Sequence, residues 1–250
     1  MSGKLQGKIA IVTGGLSGIG DAIAKRMAAE GATVIAADLA TEATTLGDGD
    51  LVPFHVDVAD ATSVAKLVDA VTARYGRLDC MVNSAGIGKD IPFLETPLET
   101  FDKIIAVNLR GSFVVGQAAA RAMRDAGGGV IVNIASVSGM TGNVGRTAYG
   151  ASKGGVVLLS RVMAVDLAQY NIRVNVLAPG PVDTPLVAQM HTPEIRQRWI
   201  EQTPMRRYAS PDEMAGAVVF LCSADASYIT GHVLAADGGF LGSGLTVAPI

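Results

Sequence analysis

Tyr149 and Lys153 stand four residues apart in the stretch R-T-A-Y-G-A-S-K-G-G, residues 146–155. Residues with this spacing share one face of an α-helix. A free phenol has a pKa near ~10, and a neighbouring cation favours the phenolate and lowers that value. The pair is therefore suited to general acid–base catalysis, with Tyr149 moving a proton and Lys153 tuning its pKa. A packed tyrosine beside a snorkelling lysine explains the same spacing without any chemistry.

Two polar side chains upstream extend this pair. Ser136 follows the apolar run V-I-V-N-I-A and lies 13 residues before Tyr149, where a hydroxyl would hold a carbonyl oxygen beside the phenol. Asn108 interrupts an apolar stretch that is predicted to be helical. The position is notable because Asn is an indifferent helix former. A turn cap for Ser136 and a satisfied core amide for Asn108 are the structural alternatives. The functional alternative for Asn108 is a position that holds water in a proton path.

A glycine-rich loop follows the first apolar run. The segment T-G-G-L-S-G-I-G, residues 13–20, has the pattern Gly14-x-x-x-Gly18-x-Gly20 rather than G-x-G-x-x-G. Glycines permit a tight turn and let backbone N–H groups reach a pyrophosphate at a helix N-terminus. A strand before the loop and a helix after it favour phosphate binding over a turn without a ligand.

The acidic residue that follows this loop bears on the choice of cofactor. Asp38 comes 18 positions after Gly20, close to the place of the acid that accepts hydrogen bonds from an adenosine ribose. Its carboxylate would repel a 2′-phosphate, and no Arg or Lys occupies positions 15–17 or 39–41 to attract one. The sequence therefore predicts NAD rather than NADP. The structural alternative is that Asp38 is a surface residue that caps a turn.

These residues need a scaffold, and the sequence alternates apolar runs of strand length with segments of helical period. The predicted strands cover residues 9–12, 33–37, 51–56, 80–83, 130–135, 173–178 and 232–236. The predicted helices cover residues 18–30, 61–74, 98–124, 149–169 and 211–223. Strands without polar alternation are typical of a sheet covered on both faces. The pattern predicts one α/β domain over residues 1–250, with a doubly wound (Rossmann) parallel sheet of seven strands.

Composition limits the class of partner. The 250 residues are 49% hydrophobic and carry a net charge of −3, which argues against a nucleic-acid binder that relies on phosphate neutralisation. No secretory signal and no apolar run of about 18 residues is found, so we expect a cytoplasmic protein without a membrane span. Cys80 and Cys222 each lie in an apolar run, which favours two reduced, buried thiols. Three scattered His residues give little support to a metal site.

Taken together, these motifs resemble those of the short-chain dehydrogenase/reductase family, in its short single-domain subtype. Residues 13–20 resemble the family's T-G-x-x-x-G-x-G loop, and N-S-A-G at 83–86 resembles N-N-A-G with Ser84 in place of the second Asn. Y-G-A-S-K matches Y-x-x-x-K, and Ser136 stands at the family's usual distance ahead of it. P-G at 179–180 and D-G-G at 237–239 also fit, so the resemblance spans nearly the whole chain.

The resemblance implies a role for each matching residue. The catalytic residues would be Asn108, Ser136, Tyr149 and Lys153. Tyr149 would be the acid–base group, and Ser136 would orient the substrate oxygen. Lys153 would lower the Tyr149 pKa and bind the nicotinamide ribose, and Asn108 would hold a water. The pyrophosphate of the cofactor would lie against Gly14, Ser17, Gly18, Ile19 and Gly20. The adenine would lie against Asp57 and Val58, and the ribose near Asn83 and Gly86. The nicotinamide would lie near Pro179, Gly180, Val182 and Thr184.

The sequence does not name the substrate. Residues 184–208 occupy the place of the family's substrate lid and hold Leu186, Met190, Trp199 and Met205 among polar residues. A secondary alcohol, a polyol or sugar, and a 3-oxoacyl thioester all fit, and a catalytically silent nucleotide-binding protein is the alternative outside the enzyme class. Arg146 is placed either to bind an acidic or hydroxylated substrate or to form a surface or interface ion pair. The family's assembly predicts a homotetramer through the two long helices, the last helix and strand, and the apolar tail 240–250.

Overall fold

The computed structural model describes residues 3–244, and within them seven parallel strands form one sheet. The strands are β1 (Ile9–Thr13), β2 (Thr33–Asp38), β3 (Leu51–His55), β4 (Cys80–Asn83), β5 (Gly129–Ile134), β6 (Ile172–Pro179) and β7 (Val233–Ala236). Their order across the sheet is β3-β2-β1-β4-β5-β6-β7. The prediction of a doubly wound α/β fold is therefore confirmed.

Helices cover both faces of this sheet. They are α1 (Gly18–Ala29), α2 (Ala61–Tyr75), α3 (Leu98–Ile105), α4 (Gly111–Asp125), α5 (Thr147–Leu167), α6 (Pro185–Met190), α7 (Pro193–Gln202) and α8 (Pro211–Cys222). In β1, Val12 belongs to the core formed with α1 and α8, and the adjacent Ile11 belongs to the core formed with α2 and α4. Both side chains are fully buried, which explains why the strands lack polar alternation.

The sheet topology brings the loops of interest to one edge. The chain leaves β1 toward β2 and β3 on one side and later returns to build β4 to β7 on the other. The carboxyl ends of β1 and β4 therefore flank a topological switch point, where ligands bind in open α/β sheets. The glycine loop follows β1, Ser84 follows β4, Ser136 follows β5 and Gly180 follows β6.

The predicted helix over residues 98–124 is not one regular helix. A π-helical turn, Ala106–Arg110, separates α3 from α4. The Ser112 hydroxyl donates to the backbone carbonyl of Asn108 at 2.7 Å, and the Asn108 side chain is held by Ile87 and Ser152 outside the helix. Side-chain bonds of this kind compete with the regular backbone ladder. The helical period alone therefore misses the interruption.

Residues 184–208, predicted only as polar and mixed, contain two helices. The Thr184 hydroxyl accepts from the backbone N–H of Val187 at the start of α6, and the Thr192 hydroxyl accepts from that of Ile195 at the start of α7. A proline occupies the first helical position in both. Thr-Pro is a helix-start signal that was present in the sequence, because a threonine oxygen caps the free N–H groups and proline lacks one.

Other sequence predictions have mixed outcomes. Cys80 and Cys222 are buried free thiols, as predicted. Within residues 3–244, no helix combines the length and apolar composition needed to cross a bilayer. The predicted contact tail 240–250 lies partly outside the described residues, since its last six positions are not among them.

Candidate active site

A cleft of about 190 Å³ lies at the carboxyl edge of the sheet, between the glycine loop and the start of α5. Most of the predicted site residues line it. They are Gly14, Ser17, Gly18, Ile19, Gly20, Gly86, Ser136, Tyr149, Lys153, Pro179, Gly180, Val182 and Thr184. Residues from five separate stretches of the chain thus meet at one place.

The glycine loop has the tight geometry that a phosphate cradle needs. Gly14 adopts a φ of +65°, and a Cβ there would lie 2.9 Å from Cα of Ala85. A Cβ on Gly20 would lie 2.0 Å from the carbonyl oxygen of Gly14, so no side chain fits. Ser17 is the N-cap of α1 but makes no capping hydrogen bond with its side chain. The first N–H groups of α1 therefore face the cleft edge with the positive end of a helix dipole, which fits a dinucleotide pyrophosphate.

Asp38 lies beside this loop. Its carboxylate accepts hydrogen bonds from the backbone N–H groups of Leu16 at 3.2 Å and Ala40 at 3.0 Å. The carboxylate thus borders the loop from the end of β2. Asp57 and Val58 follow β3 and are not in the cleft lining. Asp57 accepts from the N–H of Ala59 at 2.8 Å, Val58 is buried, and contact of either with an adenine stays a prediction.

The proton-transfer pair lies on α5 as its spacing predicts. Lys153 is 5% exposed, and its ammonium donates to the carbonyl oxygen of Ile134 at 2.8 Å and lies 5.7 Å from the Tyr149 ring centroid. The Tyr149 ring packs against backbone, since a Cβ on Gly88 would be 3.2 Å from its Cδ2 atom. Ser136 follows β5, and its hydroxyl accepts from the backbone N–H of Ser138 at 3.1 Å. The same hydroxyl lowers the pKa of the Tyr149 phenol and so favours the phenolate.

Burial decides the pKa values of both groups. Loss of solvent raises the pKa of Tyr149 above its ordinary value, while the Arg146 charge and the Ser136 hydroxyl oppose this rise. Burial also lowers the pKa of Lys153 to about 8, because the interior disfavours its charged form. The predicted lowering of the Tyr149 pKa by Lys153 is therefore not what this structure shows. The cation that opposes burial here is Arg146.

The two predicted asparagines are both committed to buried hydrogen bonds. The Asn108 amide accepts from the N–H of Ile87 at 2.9 Å and donates to its carbonyl at 2.9 Å, so it fixes the loop after β4. Asn108 Oδ1 and Lys153 Nζ both lie beside Gly86, 3.3 Å and 3.4 Å from where a Cβ on that residue would be. The Asn83 amide donates to Asn133 at 2.7 Å inside the core rather than lining the cleft. A water held by Asn108 and a ribose near Asn83 stay predictions.

Arg146 is buried rather than placed at the surface. Its Nε atom lies 3.0 Å from Oδ1 of Asp90, and its Nη2 atom lies 2.8 Å from Nε2 of His191. Nδ1 of His191 lies 2.8 Å from the hydroxyl of Tyr208. Sequence reasoning missed Asp90, His191 and Tyr208, because no local pattern signals contacts between positions so far apart in the chain.

The four apolar residues noted in the segment 184–208 have different places. Leu186 lines the cleft beside Thr184, and the sulfur of Met190 lies 3.5 Å from where a Cβ on Gly88 would be. Trp199 packs instead between His191 and Phe240, with ring centroids 6.1 Å and 5.0 Å away. Met205 is exposed outside the cleft. Only the start of the segment therefore reaches the space beside Tyr149.

Comparisons with known proteins agree with this geometry. A family model described as enoyl-(acyl carrier protein) reductase matches residues 14–241. The chain is 40% identical to 3-oxoacyl-(acyl-carrier-protein) reductase FabG of Thermotoga maritima, over 95% of this chain and 99% of that protein. It is 42% identical to D-threitol dehydrogenase of Mycolicibacterium smegmatis, over 95% and 94% of the two chains.

A solved structure shares the fold at similar identity. It is 7α-hydroxysteroid dehydrogenase complexed with NADH and 7-oxo glycochenodeoxycholic acid, with a TM-score of 0.86, 35% identity, and coverage of 94% of this chain and 95% of that one. The matches extend over the sheet, the glycine loop and the Tyr149–Lys153 helix alike. The chain therefore belongs to the short-chain dehydrogenase/reductase family of oxidoreductases.

Proposed function

We propose that the protein is an NAD-dependent oxidoreductase that moves a hydride between a nicotinamide cofactor and a secondary alcohol or ketone. The observation that carries this proposal is the meeting of Ser136, Tyr149 and Lys153 in the cleft that the glycine loop borders. The cofactor, when bound, supplies the hydride acceptor or donor. A hydride transfer to or from a carbon–oxygen group also requires a proton at the oxygen, and the three side chains provide for it.

The residues divide this proton chemistry between them. In oxidation, the Tyr149 phenolate takes the proton of the alcohol while the Ser136 hydroxyl holds the reacting oxygen. In reduction, the Tyr149 phenol gives the proton back to the carbonyl oxygen. Lys153, with a pKa of about 8, is mostly protonated at neutral pH and supplies a positive charge in a site from which solvent is excluded.

Asp38 supports NAD as the cofactor. Its carboxylate borders the glycine loop through Leu16, and the next three positions, L-A-T, carry no basic side chain. A ribose 2′-hydroxyl donates to a carboxylate, whereas a 2′-phosphate in the same place would be repelled by it. The steady-state kcat/KM with NAD and with NADP tests this assignment, and a higher value with NADP would reject it.

The substrate class that we favour is a polyol, a sugar alcohol or another small hydroxy compound. The D-threitol dehydrogenase of Mycolicibacterium smegmatis, at 42% identity, supports a polyol. The second candidate is reduction of a 3-oxoacyl thioester, which the Thermotoga maritima relative supports at 40% identity. A catalytically silent nucleotide-binding protein is the third, and the presence of Ser136, Tyr149 and Lys153 in one cleft argues against it.

A substrate panel separates these candidates. Polyols, simple secondary alcohols and acyl thioesters are tested with both cofactors, and the change in absorbance of the reduced nicotinamide is followed. Under the favoured proposal a hydroxy compound gives the highest kcat/KM, whereas a thioester ranks first under the second candidate.

Tyr149→Phe then tests whether the cleft is the catalytic site. We expect kcat to fall by at least ~100-fold, as for loss of a general acid–base group, with NADH binding retained. Tyr75→Phe at the end of α2 is the matched control and should keep wild-type turnover. Undiminished turnover in Tyr149→Phe would reject the mechanism, and no turnover of any substrate by the wild type would favour the silent protein.

The same proposal includes a lid over residues 184–208, since Thr184, Pro185, Leu186 and Val187 line the cleft. It also includes a homotetramer and a cytoplasmic location. Leu158, Val162 and Val165 are exposed apolar residues on α5, and Phe113 is one on α4. Burial of these side chains against a second copy would remove them from water. Sedimentation velocity that shows a monomer at micromolar concentration would reject the assembly.

A further inference from the structure

Four side chains, three of them buried, connect the segment 184–208 to the start of α5. They form the Arg146 cluster, which consists of Asp90, Arg146, His191 and Tyr208. Asp90 lies in the loop after β4, Arg146 is the N-cap residue of α5, and His191 and Tyr208 belong to the proposed lid. Arg146 is 9% exposed, and His191 and Tyr208 are each 7% exposed. The cluster therefore joins three segments around a buried guanidinium, and only Asp90 is partly exposed, at 26%.

The chemistry of this cluster sets its protonation state. A guanidinium can only donate hydrogen bonds, so Nε2 of His191, at 2.8 Å from Nη2 of Arg146, must accept. The imidazole is then neutral with its proton on Nδ1, which donates to the Tyr208 hydroxyl at 2.8 Å. Burial and the charges of Arg146 and Arg196 lower the pKa of His191 to about 4, in agreement with this tautomer. The contact is thus stable at neutral pH.

Further contacts anchor the lid to the same place. The guanidinium of Arg196, in α7, lies 4.1 Å from the Tyr208 ring centroid and pairs with Asp183 at 2.5 Å. The Trp199 ring stacks on His191 with an interplanar angle of 9°. His191, directly after α6, and Tyr208 therefore both contact side chains of α7, and His191 also contacts Arg146.

Arg146 also faces the acid–base tyrosine. Its Cζ atom lies 5.3 Å from the centroid of the Tyr149 ring. The other polar groups that face Tyr149 are Lys153 on the same helix, Ser136 after β5 and Asp90 in the loop after β4. The negative charge of Asp90 raises the Tyr149 pKa. Arg146 pairs with this carboxylate and adds a positive charge, so it favours the phenolate on both counts.

We propose that Arg146 is a positioning residue that holds the lid over the cleft through His191 and keeps a cation against the Tyr149 ring. This inference rests on the proposed function, because it assigns Arg146 to the reaction of Tyr149. One side chain then affects both substrate affinity, through the lid, and the pH at which Tyr149 accepts a proton. A residue that only stabilised the fold would affect neither of them selectively.

Three variants separate the two effects. Arg146→Met removes the charge and the contact with His191, Arg146→Lys keeps the charge but lacks the planar fork, and His191→Phe keeps a ring against Trp199 but has no acceptor. Arg74→Met is the matched control, because Arg74 also pairs with an aspartate, Asp48, and lies 5.4 Å from a tyrosine ring, that of Tyr75. Circular dichroism and thermal unfolding establish that each variant is folded before kinetics are measured.

The pH profile of kcat/KM for alcohol oxidation tests the electrostatic effect. In the wild type the profile rises as Tyr149 loses its proton. Arg146→Met should move that rise to higher pH and lower kcat/KM at pH 7 by at least about tenfold. Arg146→Lys and His191→Phe should keep the wild-type midpoint but raise KM, and Arg74→Met should change neither quantity. An unchanged midpoint in Arg146→Met overturns the proposal.

The lid effect has a readout that needs no turnover. Trp199 is the one tryptophan of the chain, so acrylamide quenching of its fluorescence reports access to the lid. Arg146→Met and His191→Phe should each increase the quenching constant about twofold, while Arg74→Met should leave it at the wild-type value. If both lid variants quench as the wild type does, Arg146 does not hold the lid. If quenching rises but no substrate is turned over, the proposed function fails while the contact with the lid stands.

Discussion

Replacement of Lys153 by Met exchanges a buried ammonium for an apolar side chain of similar length. Lys153 is 5% exposed, and its pKa falls from an ordinary 10.5 to about 8 because burial penalises its charge. At about 1.4 kcal/mol per pKa unit, keeping this group charged at neutral pH costs about 3 kcal/mol. The loss of one hydrogen bond to the Ile134 carbonyl offsets about 1 kcal/mol of the gain. Lys153→Met should therefore raise the free energy of unfolding at pH 7 by about 2 kcal/mol.

The pH dependence of this gain has a definite sign. Because the folded protein binds the Lys153 proton less tightly than the unfolded chain does, the penalty is fully present below about pH 8. It disappears as the pH rises from 8 toward 10.5, where both states are neutral. The wild type should therefore gain about 3 kcal/mol relative to Lys153→Met across that window, so at high pH the variant should be about 1 kcal/mol less stable than the wild type, because it lacks the hydrogen bond to Ile134.

Thermal and urea unfolding at fixed protein concentration measure the difference. For a chain of this size, 2 kcal/mol corresponds to a rise in Tm of roughly 4–8 °C. Lys66→Met, at an exposed position of α2, is the control and should change Tm little. The variant should lose turnover although it is more stable, because it lacks the charge beside Tyr149. A Lys153→Met protein that is less stable than the wild type at pH 7, or whose difference from the wild type does not depend on pH, would refute the reasoning.

Three further predictions concern other parts of the molecule. Gly20→Ala would place a Cβ 2.0 Å from the Gly14 carbonyl oxygen, so the NADH dissociation constant in a fluorescence titration should rise at least tenfold. Gly216→Ala is the control, because the space around Gly216 is open, and it should leave the dissociation constant unchanged. Asp38→Asn should lower the ratio of kcat/KM for NAD to that for NADP by about tenfold, since a carboxylate no longer repels the 2′-phosphate; an unchanged ratio would count against its role. The pKa of His191 is lowered to about 4 in the folded protein, so as the pH falls the unfolded chain binds the His191 proton before the folded protein does. Between pH 6.5 and 4 the free energy of unfolding of the wild type should therefore fall by up to about 3 kcal/mol, a loss that His191→Phe should not show. Urea unfolding at each pH measures this difference.

Some differences between expectation and structure have a local cause. The interruption of the helix at Ala106–Arg110 depends on Asn108, whose amide finds its partners in Ile87 and Ser152 rather than in its own helix. The two helices after Thr184 and Thr192 begin at Thr-Pro, a signal that was readable in the sequence but obscured by the polar composition of the segment.

The sequence by itself determined the alternation of strands and helices, the parallel sheet, the glycine loop and the placement of Tyr149 and Lys153 on one helix. These features follow from short-range rules: the period of apolar residues, the freedom of glycine, and the spacing of side chains along a helix. Each can be read from a few neighbouring residues, which is why the predicted and observed elements agree so widely.

Only the tertiary structure decided the electrostatics of the site. Arg146 and His191 are 45 positions apart in the chain, and their contact exists because the lid folds back onto the start of α5. The pKa of Tyr149 is raised rather than lowered because burial outweighs the nearby charges. Desolvation and long-range pairing depend on what surrounds a group in space, and no spacing along the sequence carries that information.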